Sequence, residues 1–215
     1  MITHAAIAGL LVDLYAGAPV FDNLAPGIGP SGICWASKRV ENVDVILLRG
    51  SVTFWDWFKD FLALATPFGH ETLGPIHQGF GLGMDRAWRD ISDATKGPYI
   101  VAGHSLGAGR AAILTGIMLE SGITPLKRVV FGEPKPGFAR LKEYIAGVPG
   151  FSYRNGDTHA HDLVTDVPIT FLLEEYEHPT PLIEVLATPA ADAPNGVFKW
   201  HSMGLYATAL KGLPA

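Results

Sequence analysis

The chain has 215 residues, 48% of them apolar and 17% charged, with a formal net charge of −5 and a sequence pI near 5.9. So apolar a chain buries a core rather than staying disordered, and an acidic balance without any run of Lys or Arg leaves no electrostatic footprint for nucleic acid. Its one cysteine, Cys34, excludes a disulfide framework, and the length fits a single domain over residues 1–215.

From the N-terminus, the apolar stretch Ala5 to Val12 is followed by Ala16, Gly17 and Ala18, which superficially suggests a signal peptide and its cleavage site. No Lys or Arg precedes it, Asp13 interrupts it and Pro19 would follow the cut, so it is not read as one. Ile7, Leu10, Leu11 and Leu14 recur at helical spacing instead and predict a first helix over His4 to Tyr15. The compartment stays open.

Strands are then predicted at Gly32 to Ser37, Val43 to Leu48, Tyr99 to Ala102, Val129 to Phe131 and Phe151 to Tyr153, with an edge element at Pro181 to Ala187. Helical spacing marks Phe54 to Ala65, Phe80 to Ser92, Leu106 to Glu120, Ala139 to Ile145 and Ser202 to Leu210. Short aliphatic runs interleaved with longer helical segments predict an α/β fold, a mostly parallel central sheet with helices on both faces. No apolar run approaches the ~20 residues that a membrane span requires.

Between the strand ending at Ala102 and the helix starting at Leu106 lies Gly103-His104-Ser105-Leu106-Gly107, a G-x-S-x-G turn. A sharp strand-to-helix turn holds such a serine in a strained backbone with its hydroxyl above the sheet, and only glycines leave room for strand and helix to approach. The following helix brings its N-terminal N–H groups and dipole to an oxyanion forming beside Ser105. A serine hydroxyl needs a base and an orienting carboxylate, which in this chain order follow the serine as Asp or Glu, then His. His178 and His201 both lie far enough downstream.

Other polar residues have plainer readings. His159-Ala160-His161-Asp162 resembles part of a metal site but lacks a ligand from another segment, so no metal and no cofactor is expected. His104 is expected to pack beneath the turn, His77 to support the oxyanion loop or the core, and Glu133 and Asp157 to bond loop backbone.

Together with the Gly103 to Gly107 turn, the blocks Leu48 to Trp57, Ile76 to Phe80, Phe131 to Gly137, His161 to Pro168 and Trp200 to Tyr206 make the sequence resemble the class 3 lipases, the fungal-type triacylglycerol lipase family with an α/β-hydrolase fold. Leu48 to Trp57 is similar to the family's R-G-S oxyanion and lid segment, Ile76 to Phe80 to its V-H-x-G-F block, and Gly103 to Gly107 to its elbow. Phe131 to Gly137 matches F-G-x-P-x-x-G, His161 to Pro168 the acid block, and Trp200 to Tyr206 the closing histidine segment. The resemblance implies Ser105 as nucleophile, Asp162 as orienting acid and His201 as general base. It also implies an oxyanion hole from the N–H groups of Ser51 and Leu106, with the Ser51 hydroxyl as a third donor. Thr165 stands where the acid block has a proline, Asp166 adds a second carboxylate, and the stretch from Asp162 to His201 is short for fungal members, which suggests a trimmed substrate rim.

The implied activity is a serine hydrolase that cleaves carboxylic esters, a lipase acting on acylglycerols through an acyl-enzyme. A carboxylesterase or feruloyl-type esterase, a phospholipase A1 and a non-catalytic lipid-binding module are the alternatives. The implied partners are an ester or lipid substrate and a lipid–water interface, with no nucleic acid and no transmembrane segment. On a helical wheel Phe54, Trp55, Trp57, Phe58 and Phe61 share one broad face of the 54–65 segment, opposite Asp56, Lys59 and Asp60. Beside an oxyanion loop, that face reads as a mobile lid contacting substrate or interface, or else as a helix docked permanently on the core.

Overall fold

The computed structural model describes residues 2–27, 32–50, 67–168, 176–191, 193 and 196–212. Helix α1 (His4–Ala16) starts where the Thr3 hydroxyl accepts the Ala6 N–H and stops at Gly17, whose φ of 68° is the left-handed conformation a glycine takes freely. Strands β2 (Cys34–Val40) and β3 (Val43–Leu48) form a hairpin around Glu41 and Asn42, both at positive φ, a turn whose twist suits paired strands. A short β1 (Asn23–Pro26) adds antiparallel to β2.

From β3 onward the pairing is parallel, through β6 (Tyr99–His104), β7 (Lys127–Phe131), β8 (Gly150–Asn155) and β9 (Leu182–Val185). Among the described residues these seven strands make one sheet in the order β1-β2-β3-β6-β7-β8-β9. A separate hairpin pairs β4 (Pro67–His70) with β5 (Gly74–His77).

Alternation along the strands sends side chains to opposite faces. Val45, Leu47, Ile100, Ala102, Val129 and Phe131 pack under α1 and α6 (Met203–Lys211). Ile46, Leu48, Val101 and Val130 pack under α3 (Met84–Ala94), α4 (Leu106–Glu120) and α5 (Ala139–Ile145). All six residues of β6 are buried, which is why it reads as a continuous apolar run. The expected mostly parallel sheet with helices on both faces is the one observed.

Three details differ from the sequence reading. The helix expected over Phe80 to Ser92 is broken into a single turn, α2 (Gln78–Gly81), and α3, because Gly83 takes φ 80° between them. Strand β1 and the β4–β5 hairpin were not expected, since Pro26, Pro67, Gly69, Gly74 and Pro75 suppress any β-branched alternation there. The predicted 54–65 helix lies outside the described residues. Among the described residues no helix is long and apolar enough to cross a membrane.

Candidate active site

Ser105 sits between β6 and α4 with φ 60° and ψ −130°, a conformation that costs a non-glycine residue about 1–3 kcal/mol. Neighbouring backbone holds it there. Its N–H donates to the Phe131 carbonyl at 3.0 Å, and its carbonyl accepts the N–H groups of Ala108 and Gly109. The flanking glycines are sterically required: a Cβ on Gly103 would lie 2.2 Å from the Gly107 carbonyl oxygen, and one on Gly107 would lie 2.0 Å from that of Leu48. Leu106 opens α4, so its N–H is a first-turn donor with no carbonyl four residues earlier to satisfy it.

Asp162 follows β8 and caps a 3₁₀ turn, Leu163–Asp166. It is fully buried. Its Oδ1 accepts the Val164 N–H at 2.9 Å, and its Oδ2 accepts both the His201 Nδ1–H and the Tyr206 hydroxyl, each at 2.6 Å. Burial by itself raises this carboxyl. Its electrostatic attraction to His201 and the hydrogen bonds from His201, Tyr206 and Val164 outweigh that effect and hold it below the usual carboxylate range. An ionised carboxylate only accepts, so Nδ1 carries the imidazole proton and Nε2 is left as the basic nitrogen.

His201 ends the 3₁₀ segment Gly196–His201 and is 6% exposed. Its ring stands over Gly132, where a Cβ would lie 2.7 Å from Asp162 Oδ2 and 2.8 Å from His201 Cε1. Gly132 directly follows Phe131, whose carbonyl binds the Ser105 N–H. Elbow, imidazole and carboxylate therefore converge at the C-terminal ends of β6, β7 and β8, where ligands bind in parallel α/β sheets.

The other candidates are placed elsewhere. His178 donates from Nε2 to the Thr165 carbonyl at 2.8 Å, and its Nδ1 lies 4.0 Å from Glu133. Asp157 accepts the His159 and Ala160 N–H groups within its own loop, and Asp166 pairs with His161 at 2.8 Å. Of these three aspartates only Asp162 meets His201. Glu133 is buried against Arg128 and the Ser152 hydroxyl, beyond the backbone role expected of it. His77 is buried and accepts the Gly79 N–H, capping α2. His104 is packed beneath the elbow as expected, its ring stacked on that of His201 at 4.6 Å. Among the described residues no group of three or more His, Cys, Asp or Glu is placed to hold a metal ion. Ser51, Phe54, Trp55, Trp57 and Phe58 lie outside the described residues.

Tyr206 was not singled out from the sequence. Its signal was its place at the end of the closing histidine block, on the same short segment as His201. A second unanticipated tyrosine, Tyr15, accepts the Gly50 N–H, and nothing in the sequence marks it.

Residues 45–172 match the family model described as Lipase (class 3). Among solved structures the chain is similar to the Rhizomucor miehei lipase propeptide complex (TM-score 0.63, 19% identity, covering 77% of this chain and 62% of that one). It is also similar to a lipase from Rhizopus microsporus var. chinensis (TM-score 0.58, 17% identity, 80% and 67%). A third is a triacylglycerol lipase whose catalytic centre is a serine protease triad (TM-score 0.59, 16% identity, 86% and 78%). Among curated proteins no sequence matches. The chain thus spans less than two thirds of the Rhizomucor chain in that complex, and at these identities the structures establish the α/β-hydrolase fold. With more than half of its residues inside the family model, the chain belongs to the class 3 lipase family.

Proposed function

We propose that the chain hydrolyses carboxylic esters, with acylglycerols as the substrate class, through an acyl-enzyme on Ser105. His201 Nε2 takes the Ser105 proton as Oγ attacks the ester carbonyl carbon, and Asp162 holds the Nδ1–H and stabilises the imidazolium that forms. The tetrahedral oxyanion is met by the N–H groups of Leu106 and Ser51, a kind of donor whose loss costs about 10²–10³ in kcat. Collapse expels the alcohol, which leaves with the proton from His201. Water then repeats the sequence on the acyl-Ser105 ester and frees the acid.

The observation that carries this reading is the elbow itself, with Ser105 at φ 60° between β6 and α4 and its N–H tied to Phe131 beside the His201 ring. Strain of that kind, at the end of a parallel sheet, belongs to nucleophile presentation rather than to packing. Treatment with a fluorophosphonate, followed by peptide mass spectrometry, should place the adduct on Ser105. An active preparation labelled elsewhere overturns the assignment.

A second reading narrows the substrate. Only 39 positions separate Asp162 from His201, which favours a small rim over the site and shorter acyl chains. Rates on p-nitrophenyl esters from acetyl to palmitoyl, with emulsified triglyceride and phospholipid alongside, separate lipase, esterase and phospholipase. A folded chain inert on all of them would be a lipid-binding module.

A further inference from the structure

The mechanism above leaves a buried polar chain beneath the elbow without a role. The Gly50 N–H donates to the Tyr15 hydroxyl at 3.0 Å, that hydroxyl meets His104 Nδ1 at 2.9 Å, and His104 Nε2 meets the His201 backbone carbonyl at 2.9 Å. Its polarity follows without choice. A carbonyl only accepts, so His104 carries its proton on Nε2 and presents a lone pair at Nδ1. The Tyr15 hydroxyl must therefore donate to Nδ1, which leaves its oxygen lone pairs for the Gly50 N–H. Each link has one possible direction.

Its two ends touch the two halves of the proposed chemistry. Gly50 immediately precedes Ser51, the proposed oxyanion donor, and packs so tightly that a Cβ there would lie 2.8 Å from both Ser105 Cβ and Tyr15 Oη. At the other end, the carbonyl belongs to the proposed base, and the His104 ring stacks on the His201 ring at an interplanar angle of 28°. Burial, reinforced by the neighbouring His201, lowers the His104 pKa to about 3, so the ring stays neutral and the polarity holds across any working pH. Tyr15 comes from α1, docked on the far face of the sheet from α4, and ties the end of β3 to the elbow by side-chain hydrogen bonds as well as by packing.

We infer that Tyr15 and His104 are positioning residues: the chain Gly50 N–H to Tyr15 to His104 to the His201 carbonyl sets the peptide plane at the start of the oxyanion loop and the backbone of the base in one register. This rests on the proposed roles of Ser105, His201 and Ser51. A misplacement of about 1 Å at a reacting group costs roughly a hundredfold in rate, so losing the relay lowers turnover without removing any group that touches substrate.

The test is turnover per active site in the full-length chain, with sites counted by fluorophosphonate labelling of Ser105. Tyr15→Phe should lower kcat on p-nitrophenyl butyrate by about 10- to 100-fold while KM stays within about twofold. A purely structural role would reduce the number of labelled sites and leave turnover per site unchanged, and that result overturns the proposal. Glutamine carries an amide oxygen and nitrogen spaced much as the two imidazole nitrogens are, so His104→Gln should retain more turnover per site than His104→Leu. Combining Tyr15→Phe with His104→Leu should cost little beyond the worse single change, because both cut the same chain. Additive losses, or His104→Gln no better than His104→Leu, would also refute it. Wild-type protein that turns over ester without labelling at Ser105 would instead remove the assignment on which the relay rests.

Discussion

Two carboxylates are fully buried at the C-terminal ends of neighbouring strands, Glu133 just past β7 and Asp162 just past β8, and they are furnished differently. Glu133 pairs with the Arg128 guanidinium, itself 1% exposed, and accepts the Ser152 hydroxyl. Asp162 accepts from an imidazole, a phenol and one backbone N–H. An arginine is permanently charged and offers no proton to trade, so the Glu133 pair is a closed structural unit. An imidazole can be neutral or charged, and a carboxylate held ionised beside it lets the ring take up a proton at low cost. Burial alone does not single out Asp162 as the proposed catalytic carboxylate; its direct hydrogen bond to an imidazole does, whereas the imidazole nearest Glu133, that of His178, stands 4.0 Å away.

Neutralising each acid in turn separates the two carboxylates. Asp162→Asn should lower kcat per labelled site by about 10⁴ while the melting temperature changes little, as expected when an orienting carboxylate becomes an amide. Glu133→Gln should do the reverse, costing about 3–5 kcal/mol by leaving Arg128 buried without its counter-ion, with turnover per folded molecule largely kept. The two readouts are active-site-normalised kinetics and urea unfolding. An exchange of outcomes would make Glu133 the orienting acid. The same logic separates the imidazoles: His201→Ala should abolish turnover, and His178→Ala, whose ring faces Thr165 and Glu133, should leave most of it.

How much of this was legible depends on how local each constraint is. The elbow announces itself because Gly103 and Gly107 answer to steric demands within one turn, and the helix after it was read with both ends where they are observed, Leu106 and Glu120. Chain order alone does not distinguish Asp162 from Asp157 and Asp166; what separates them is that His201 folds back onto Asp162 and onto neither of the others. The resemblance pointed to Asp162, and the geometry now pairs it with His201. Tyr15 reaches His104 across 89 positions because α1 packs on the sheet face over β6, a consequence of packing that leaves no local pattern. The Leu82–Gly83 break leaves no sequence signal for the opposite reason: helical spacing continues on both sides of it, and a single positive-φ glycine decides.

Protons sharpen the contrast further. His104 protonates freely near 6.5 in the unfolded chain but only near about 3 when buried, so between these values the unfolded state binds more protons and stability falls as pH falls. The slope from this one group is at most about 1.4 kcal/mol per pH unit. His104→Gln should flatten the urea-unfolding free energy over that range relative to wild type. An unchanged slope would mean that the buried ring does not resist protonation.

The smallest effect expected concerns the phenol on Asp162. Tyr206→Phe removes one of the two donors to Oδ2 and leaves the His201 hydrogen bond in place. A hydrogen bond to a charged acceptor contributes about 1.5–3 kcal/mol, part of which the remaining donors recover. Losing it lets burial pull the carboxyl back up, from below its ordinary value towards or past it. A depressed carboxyl gives stability that is present above the unfolded pKa of about 4 and is lost as pH falls through the folded one. Raising the folded value therefore moves acid unfolding to higher pH, by a fraction of a unit, while kcat drops by less than about tenfold because His201 keeps its orienting partner. Glu133 has no comparable phenol, so the nearby Ser152→Ala should leave kcat alone. A Tyr206→Phe variant with the acid-unfolding midpoint of wild type would mean that the imidazole and the Val164 N–H suffice to hold Asp162 ionised, and that the phenol only fills space.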